Sequence, residues 1–341
     1  MRKAVFMRLN KIITVVDSHT AGEPARIVTS EGHRIKGGTM SEKMAYFKRN
    51  LDDLRRTVIL EPRGHSGMFS VFLTTPTTPE ADLGVLYLDV QGYVDMCIHG
   101  AIATATVAVE TGLVAAQEPE TTVVLDTIAG LVKAKARLAD GKVKEVTIRN
   151  VPSFLYQSDI RLDIQGAGKV KADIAYGGNF FAIVDSQQLN LSVAPSNLRR
   201  LLEVGVKIRA AAADNVKVRH PTEKHIDQVR FAQIYGHAKH PEADSRNIVV
   251  GVKGSYDRSP CGTGTCARMA SLYAKRKLAL NQEFTYESIL GTIFKAKVIR
   301  EATVGDYLAV IPEVTGSAYI TGFNQFVVDP EDPLPNGFFL D

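Results

Sequence analysis

The chain has 341 residues, 45% of them hydrophobic and 23% charged, with a formal net charge of +4. That composition describes a globular protein long enough for two units with separate cores. The basic residues are scattered rather than gathered in a stripe, which argues against a nucleic-acid surface, and no apolar run reaches the ~18 residues of a membrane span. Three cysteines make no disulfide framework and no Cys-x-x-Cys pair, so free thiols in a reducing compartment are expected. The opening stretch from Met1 to Lys11 lacks an uninterrupted apolar segment, which suits a cytoplasmic protein without a leader.

In chain order, Lys11–Asp17 and Arg26–Thr29 read as strands flanking a turn-rich loop, Ser18 to Pro24. Thr39 and Glu42 have capping-box spacing, and Met44, Phe47, Leu51 and Leu54 form the apolar stripe of one helix. A loop, Glu61 to Ser66, precedes strands at Met68–Leu73 and Leu83–Val90. The next helix, Ala101–Val114, is small and apolar nearly all round, the signature of a helix buried on every side. Strands follow at Thr121–Leu125, Leu131–Leu138 and Val143–Asn150. Around 151–165 the pattern loosens, which places a boundary between a first lobe (1–158, completed by 322–341) and a second (159–321). The second lobe carries strands at Lys169–Ala175, Phe180–Val184, Val229–Tyr235, Ile248–Val252, Ile289–Arg300 and Tyr307–Val314. It also carries a capped helix from Ser196 to about Ala212.

Two segments share one pattern. Cys97, Gly100 and Ala103 match Cys261, Gly264 and Ala267 as Cys-x-x-Gly-x-x-Ala, 164 residues apart and close to half the chain. Pro260, Gly262 and Gly264 make the second a loop, and the residues after Thr265 favour helix. Each cysteine is thereby placed at a helix start, where free N–H groups and the dipole favour anions. A thiol so held is expected to have its pKa drawn down from about 8.5 toward neutrality. Two thiols from facing halves suit two-sided proton transfer at a stereocentre, one removing the Cα proton and the other delivering one. Taken singly, each also reads as a buried inert cysteine, although a core cysteine has no need of the Pro-Cys-Gly-Thr-Gly-Thr loop. Cys266 falls inside the helix and reads as packing.

Ile98, His99, Asp257, Gly262 and Thr263 flank the thiols. Their backbone N–H groups, with the Thr263 hydroxyl and His99, are candidate clamps for a carboxylate, and Asp257 is a candidate acceptor for an amine. An N-cap role for Asp257 and a structural hydrogen bond for His99 are the bland alternatives. Phe69, His65 and the Asp17–Arg26 loop are weaker candidates for a pocket wall or lid. The spacings of Cys97, His99, Cys261 and Cys266 fit no usual zinc framework.

At these residues the sequence resembles the proline racemase family, which includes hydroxyproline epimerases and trans-3-hydroxyproline dehydratases. The likeness runs nearly end to end, through Asp17 to Pro24, Glu61 to His65, Met96 to Gly100, Tyr176 to Phe181, His220-Pro221, Asp257 to Thr265 and Gly316 to Gly322. It implies the two-lobed α/β fold shared with diaminopimelate epimerase, each lobe a curved, mainly antiparallel sheet around a central helix. It also implies catalysis without metal or other cofactor, a small-molecule substrate (proline or hydroxyproline) and a homodimer. By the family motifs Cys97 and Cys261 are the acid–base pair; Ile98, His99, Asp257, Gly262 and Thr263 hold the substrate. The dehydratase branch has threonine in place of the second cysteine, so Cys261 favours a racemase or epimerase.

Two departures stand out. Ile98 replaces the usual glycine after the first cysteine, and its Cβ is expected to narrow the backbone's approach to a carboxylate. Gly251 falls where a second pocket phenylalanine is common beside Phe69, leaving room for a ring hydroxyl. Proline racemisation is the leading expectation, with 4-hydroxyproline 2-epimerisation beside it. A cysteine hydrolase with Cys97 as nucleophile and a non-catalytic amino-acid binding protein are alternatives from other classes.

Overall fold

The computed structural model describes residues 11–340; the stretch expected not to be a leader therefore lies almost wholly outside the described residues. The first half opens with β1 (Lys11–Thr20) and β2 (Glu23–Val28). The expected long loop is thus a two-residue hairpin turn. Ala21 and Gly22 both take positive φ, 52° and 96°, the geometry that matches strand twist. Helices α1 (Met40–Asn50) and α2 (Asp52–Ile59) share the stripe expected of one helix, broken at Leu51. Thr39 caps α1 by accepting from the Glu42 N–H. Then come β3 (Phe69–Thr74), β4 (Leu83–Asp89), β5 (Gly92–Val94), α3 (Ile98–Glu110), β6 (Glu120–Thr127), β7 (Gly130–Ala139) and β8 (Lys142–Arg149).

The second half runs β9 (Ser153–Ile164), β10 (Gly168–Tyr176), β11 (Phe180–Asp185), α4 (Leu198–Asn215), β12 (Val229–Gly236), β13 (Ser245–Val250) and β14 (Tyr256–Asp257). It continues with α5 (Gly262–Ala274), β15 (Glu283–Glu287), β16 (Ile293–Val304) and β17 (Tyr307–Gly316). The last strand is β18 (Ala318–Val328). A short 3-10 turn leads into α4, with no side-chain cap at Asn197, so the expected cap there is absent.

The two halves repeat one plan. Antiparallel β1–β2, β3–β4, β4–β5 and β6–β7 correspond to β10–β11, β12–β13, β13–β14 and β15–β16. Parallel β2–β3 and β4–β6 correspond to β11–β12 and β13–β15. Strand β18 lies along β1 as β9 lies along β10, and β17 joins the halves by pairing with β8 and β9. Each half is a mainly antiparallel sheet around one helix: α3 packs on β1, β2, β3 and β8, and α5 on β9, β10, β11 and β17. Every residue of α3 from Ile98 to Val109 is buried, as its all-round apolar sequence requires.

The loosened stretch expected around 151–165 shrinks to 150–152. The boundary expected at 158/159 falls inside β9, whose residues on both sides of it pair with β10. Among the described residues no helix is long and apolar enough to cross a membrane.

Candidate active site

The two central helices meet at their N-termini. Cys97 is the N-cap of α3 and Cys261 the N-cap of α5. The contact between them is close: a Cβ built on Gly262 would lie 2.4 Å from both Cβ and Cγ2 of Ile98. Gly262 is therefore required because Ile98 occupies the space a side chain would take. Ile98 is the residue expected to narrow the backbone's approach to a carboxylate. Its side chain is turned against Gly262, and neither residue borders the cavity beside them.

That cavity, about 80 Å³, is bordered by Cys97, His99, Asp257, Cys261 and Thr263 together. At roughly 10–15 Å³ per water-sized group it holds a ligand of about six such groups. Both cysteines are nearly closed off, at 7% and 6% exposure. Cys97 Sγ accepts from the Gly100 N–H at 3.3 Å and lies 3.0 Å from His99 Nδ1. Cys261 Sγ lies 3.8 Å from the Thr263 hydroxyl. Cys261 has φ 57°, a left-handed backbone that costs a non-glycine residue about 1–3 kcal/mol. Such strain at a helix entry aims a side chain that a relaxed backbone would turn elsewhere.

Each half braces the other's cysteine loop. From the β10–β11 turn, Asn179 Nδ2 donates to the Met96 carbonyl at 2.7 Å. From the β1–β2 hairpin, the Glu23 carboxylate accepts the Arg258 N–H at 2.7 Å. Glu23 also borders the cavity and had no place among the expected site residues. It lies in the Asp17–Arg26 loop, expected as a weaker candidate for a pocket wall or lid, and within the Asp17 to Pro24 motif.

The electrostatics reverse one expectation. Burial pushes the Cys97 thiol well above its ordinary range, and the negative charges of Asp257 and Glu23 add to that, against the Gly100 and His99 N–H groups. Burial likewise raises Cys261, with Asp257 and Cys97 adding to it and the Gly264 N–H opposing. Helix starts do stabilise thiolates, but desolvation and two carboxylates outweigh them here. Burial also raises Glu23, helped by Asp257, and lowers His99, which stays neutral. A neutral imidazole 3.0 Å from a sulfur can accept from the thiol or donate to the thiolate.

The weaker candidates divide. Phe69 borders the cavity and meets His99 edge-on at 4.5 Å. His65 does not border it; its Nδ1 accepts from the Gly67 N–H. Asp17 and Arg26 form a half-buried ion pair, and Arg26 also donates to the Val58 and Arg63 carbonyls, a structural role. Asp257 is not a helix cap: one oxygen accepts the Ser259 N–H. Gly251 borders the cavity, and a Cβ there would lie 2.6 Å from Ser255 Oγ and 3.4 Å from the Phe231 ring, so Ser255 and Phe231 flank the room expected at this position. Phe231, from β12, also borders the cavity and is a second aromatic side chain there beside Phe69.

The meeting of the helices is testable in stability alone. Gly262→Ala should lower the folding free energy by about 1–3 kcal/mol through overpacking, and adding Ile98→Gly should recover part of it. Thermal melts of both variants and of Ile98→Gly close the cycle. Additive effects would mean that the two residues do not share this space.

A family model described as "Proline racemase" matches residues 15–339. The chain is 48% identical over 334 residues to a proline racemase of Clostridioides difficile, covering 98% of this chain and 100% of that protein. It is 43% identical over 337 residues to a 4-hydroxyproline 2-epimerase of Streptosporangium roseum, covering 98% and 100%. Among solved structures, a hydroxyproline epimerase from Agrobacterium vitis with bound trans-4-hydroxy-L-proline superposes with a TM-score of 0.93 at 33% identity, covering 98% of this chain and 96% of that one. With a matched model over nearly its whole length and a cysteine at each of two facing helix starts, the chain belongs to the proline racemase family.

Proposed function

We propose that the protein interconverts L- and D-proline without a cofactor, with Cys97 and Cys261 as the two bases. The observation that carries this is one small cavity bordered by both sulfurs, each at the N-cap of a different central helix. Abstraction of a Cα proton puts charge on the adjacent carboxylate. The unsatisfied N–H groups at the starts of α3 and α5 provide a donor set aimed at such an anion. Of the flanking residues, His99 and Thr263 border the cavity and contribute such groups; Ile98 and Gly262 do not border it and serve by setting how closely the two helix starts meet. Asp257 and Glu23 face the same space and complement the protonated ring nitrogen. One thiolate then takes the Cα proton from one face of the ring while the opposite thiol gives its proton to the other.

The ring nitrogen's positive charge also offsets the two carboxylates that hold the thiols up. The pair therefore gains thiolate character with substrate in place. Two phenyl rings, Phe69 and Phe231, border the cavity and suit an unsubstituted pyrrolidine. A second reading, epimerisation of 4-hydroxyproline at C2, is favoured by Ser255 and Tyr256, polar side chains that border the cavity beside Gly251.

Incubation with L-proline and, separately, trans-4-hydroxy-L-proline should yield the Cα-inverted product, faster from proline. Exclusive turnover of the hydroxylated substrate would select the second reading, and binding without inversion a binding protein. Cys97→Ser and Cys261→Ser should each lower turnover about a thousandfold. Full activity in either one would leave a single essential cysteine, as a hydrolase has.

The pH profile has a defined sign. Negative charge at Glu23 raises the Cys97 thiol, so the rate should fall as pH drops through the raised value. Glu23→Gln removes that charge and should move the acid limb of kcat/KM to lower pH, by up to about one unit. A limb that stays or moves up would separate Glu23 from Cys97.

A further inference from the structure

The face of the second half that packs against α5 runs between two cavities. On β12 its residues recur at every second position. Phe231 borders the cavity of the two cysteines, Tyr235 borders a second cavity, and Gln233 stands midway. At about 3.3 Å per residue the two ends lie about 13 Å apart. The outer cavity, about 260 Å³, is bordered by Asp185, Arg268 and the exposed Gln188 and Lys277.

Between the cavities this face carries buried polar groups with no partner. Gln233 is wholly buried, and neither its Nε2 nor its Oε1 has a hydrogen bond among the described residues. The same holds for the Tyr286 hydroxyl, Asn247 Oδ1 and Arg268 Nε. Register puts them together: Asn247 is opposite Tyr235, and Tyr286 is opposite Ser245, two residues along β13. The Tyr286 hydroxyl lies within electrostatic reach of Cys261, Tyr235 and Arg268, and the Arg268 guanidinium stacks on the Tyr235 ring at 3.7 Å. Unmade hydrogen bonds in a folded interior are costly and rare, and a row of them is what buried water satisfies.

Gly264 explains where such water reaches the sulfur. A Cβ there would lie 2.9 Å from Gln233 Nε2 and 3.1 Å from Cys261 Sγ, so the two atoms are within about 6 Å of each other, a span one water bridges. We propose that water held by Gln233, Asn247 and Tyr286 links the Cys261 sulfur to the outer cavity, giving it a route for proton exchange that bypasses the substrate cavity.

This rests on the two-base reading, which creates the need. One turnover leaves the former thiol as thiolate and the former thiolate as thiol. To act again on the same enantiomer, Cys261 must lose a proton to solvent while Cys97 gains one, or the reverse, with no net change. Through the cavity alone both exchanges must pass before the next ligand closes it; a rear route lets Cys261 exchange one proton while Cys97 exchanges the other through the cavity mouth.

The test compares Gln233→Leu and Tyr286→Phe with the wild type, measuring net conversion of L-proline from low to saturating concentration. Both replacements keep the volume and remove the polar atoms. We expect kcat/KM to stay within about twofold while the saturating rate falls about fivefold or more in Gln233→Leu and less in Tyr286→Phe. Unchanged saturating rates, or equal losses in kcat and kcat/KM as from disturbed packing at Cys261, overturn the proposal. A crystal structure of the wild type at high resolution reads it independently of activity: ordered water between Gln233 and Cys261 supports the route, and a dry space there ends it. Absence of any Cα inversion in the wild type would refute the two-base reading alone.

Discussion

Two helices aimed at one another by their N-termini set the terms for this protein. The Ile98–Gly262 contact fixes how near those ends come. Everything chemically useful follows from that approach: two N-cap sulfurs, two sets of free N–H groups and one cavity between them. An isolated helix start would offer an anion site. Two opposed starts place two sulfurs at one cavity, the arrangement on which the proposed inversion at a carbon rests. The sheets serve this arrangement, each enclosing its helix so completely that only the N-terminal end is presented.

Electrostatics sets the field that any ligand of this site meets. Buried carboxylates beside buried thiols oppose ionisation of the sulfurs. On the proposed reading a zwitterionic ligand suits this field, its cation against Asp257 and Glu23 and its carboxylate on the helix ends. A plain carboxylic acid would bring only more negative charge. His99 Nδ1, close to the Cys97 sulfur, adds a hydrogen-bond partner whose direction follows the imidazole tautomer.

Much of this was legible in the chain. The Cys-x-x-Gly-x-x-Ala repeat marked both helix starts, and the all-round apolar α3 announced its own burial. The repeated strand order confirms that the repeat reflects two similar halves. What escaped has physical causes. Strand β9 hid because its alternation breaks at Asp159, which has positive φ beside a register shift, so the two ends of one strand read as out of phase. Glu23, Phe231 and Gln233 were not singled out because their roles depend on what faces them across the fold: Glu23 lies 74 residues from Cys97 and 238 from Cys261 in sequence, and the others stand on a separate strand. The thiol pKa was misjudged because local sequence shows the helix start but not the depth of burial or the second carboxylate.

The central claim is that two different sulfurs handle the two faces of one carbon. It is tested most directly by following L-proline in deuterated water at low conversion, with product and recovered substrate analysed separately. Two bases predict D-proline carrying deuterium at Cα while the recovered L-proline carries none. Equal labelling of both at the earliest times would mean one base serving both faces, and would contradict the account.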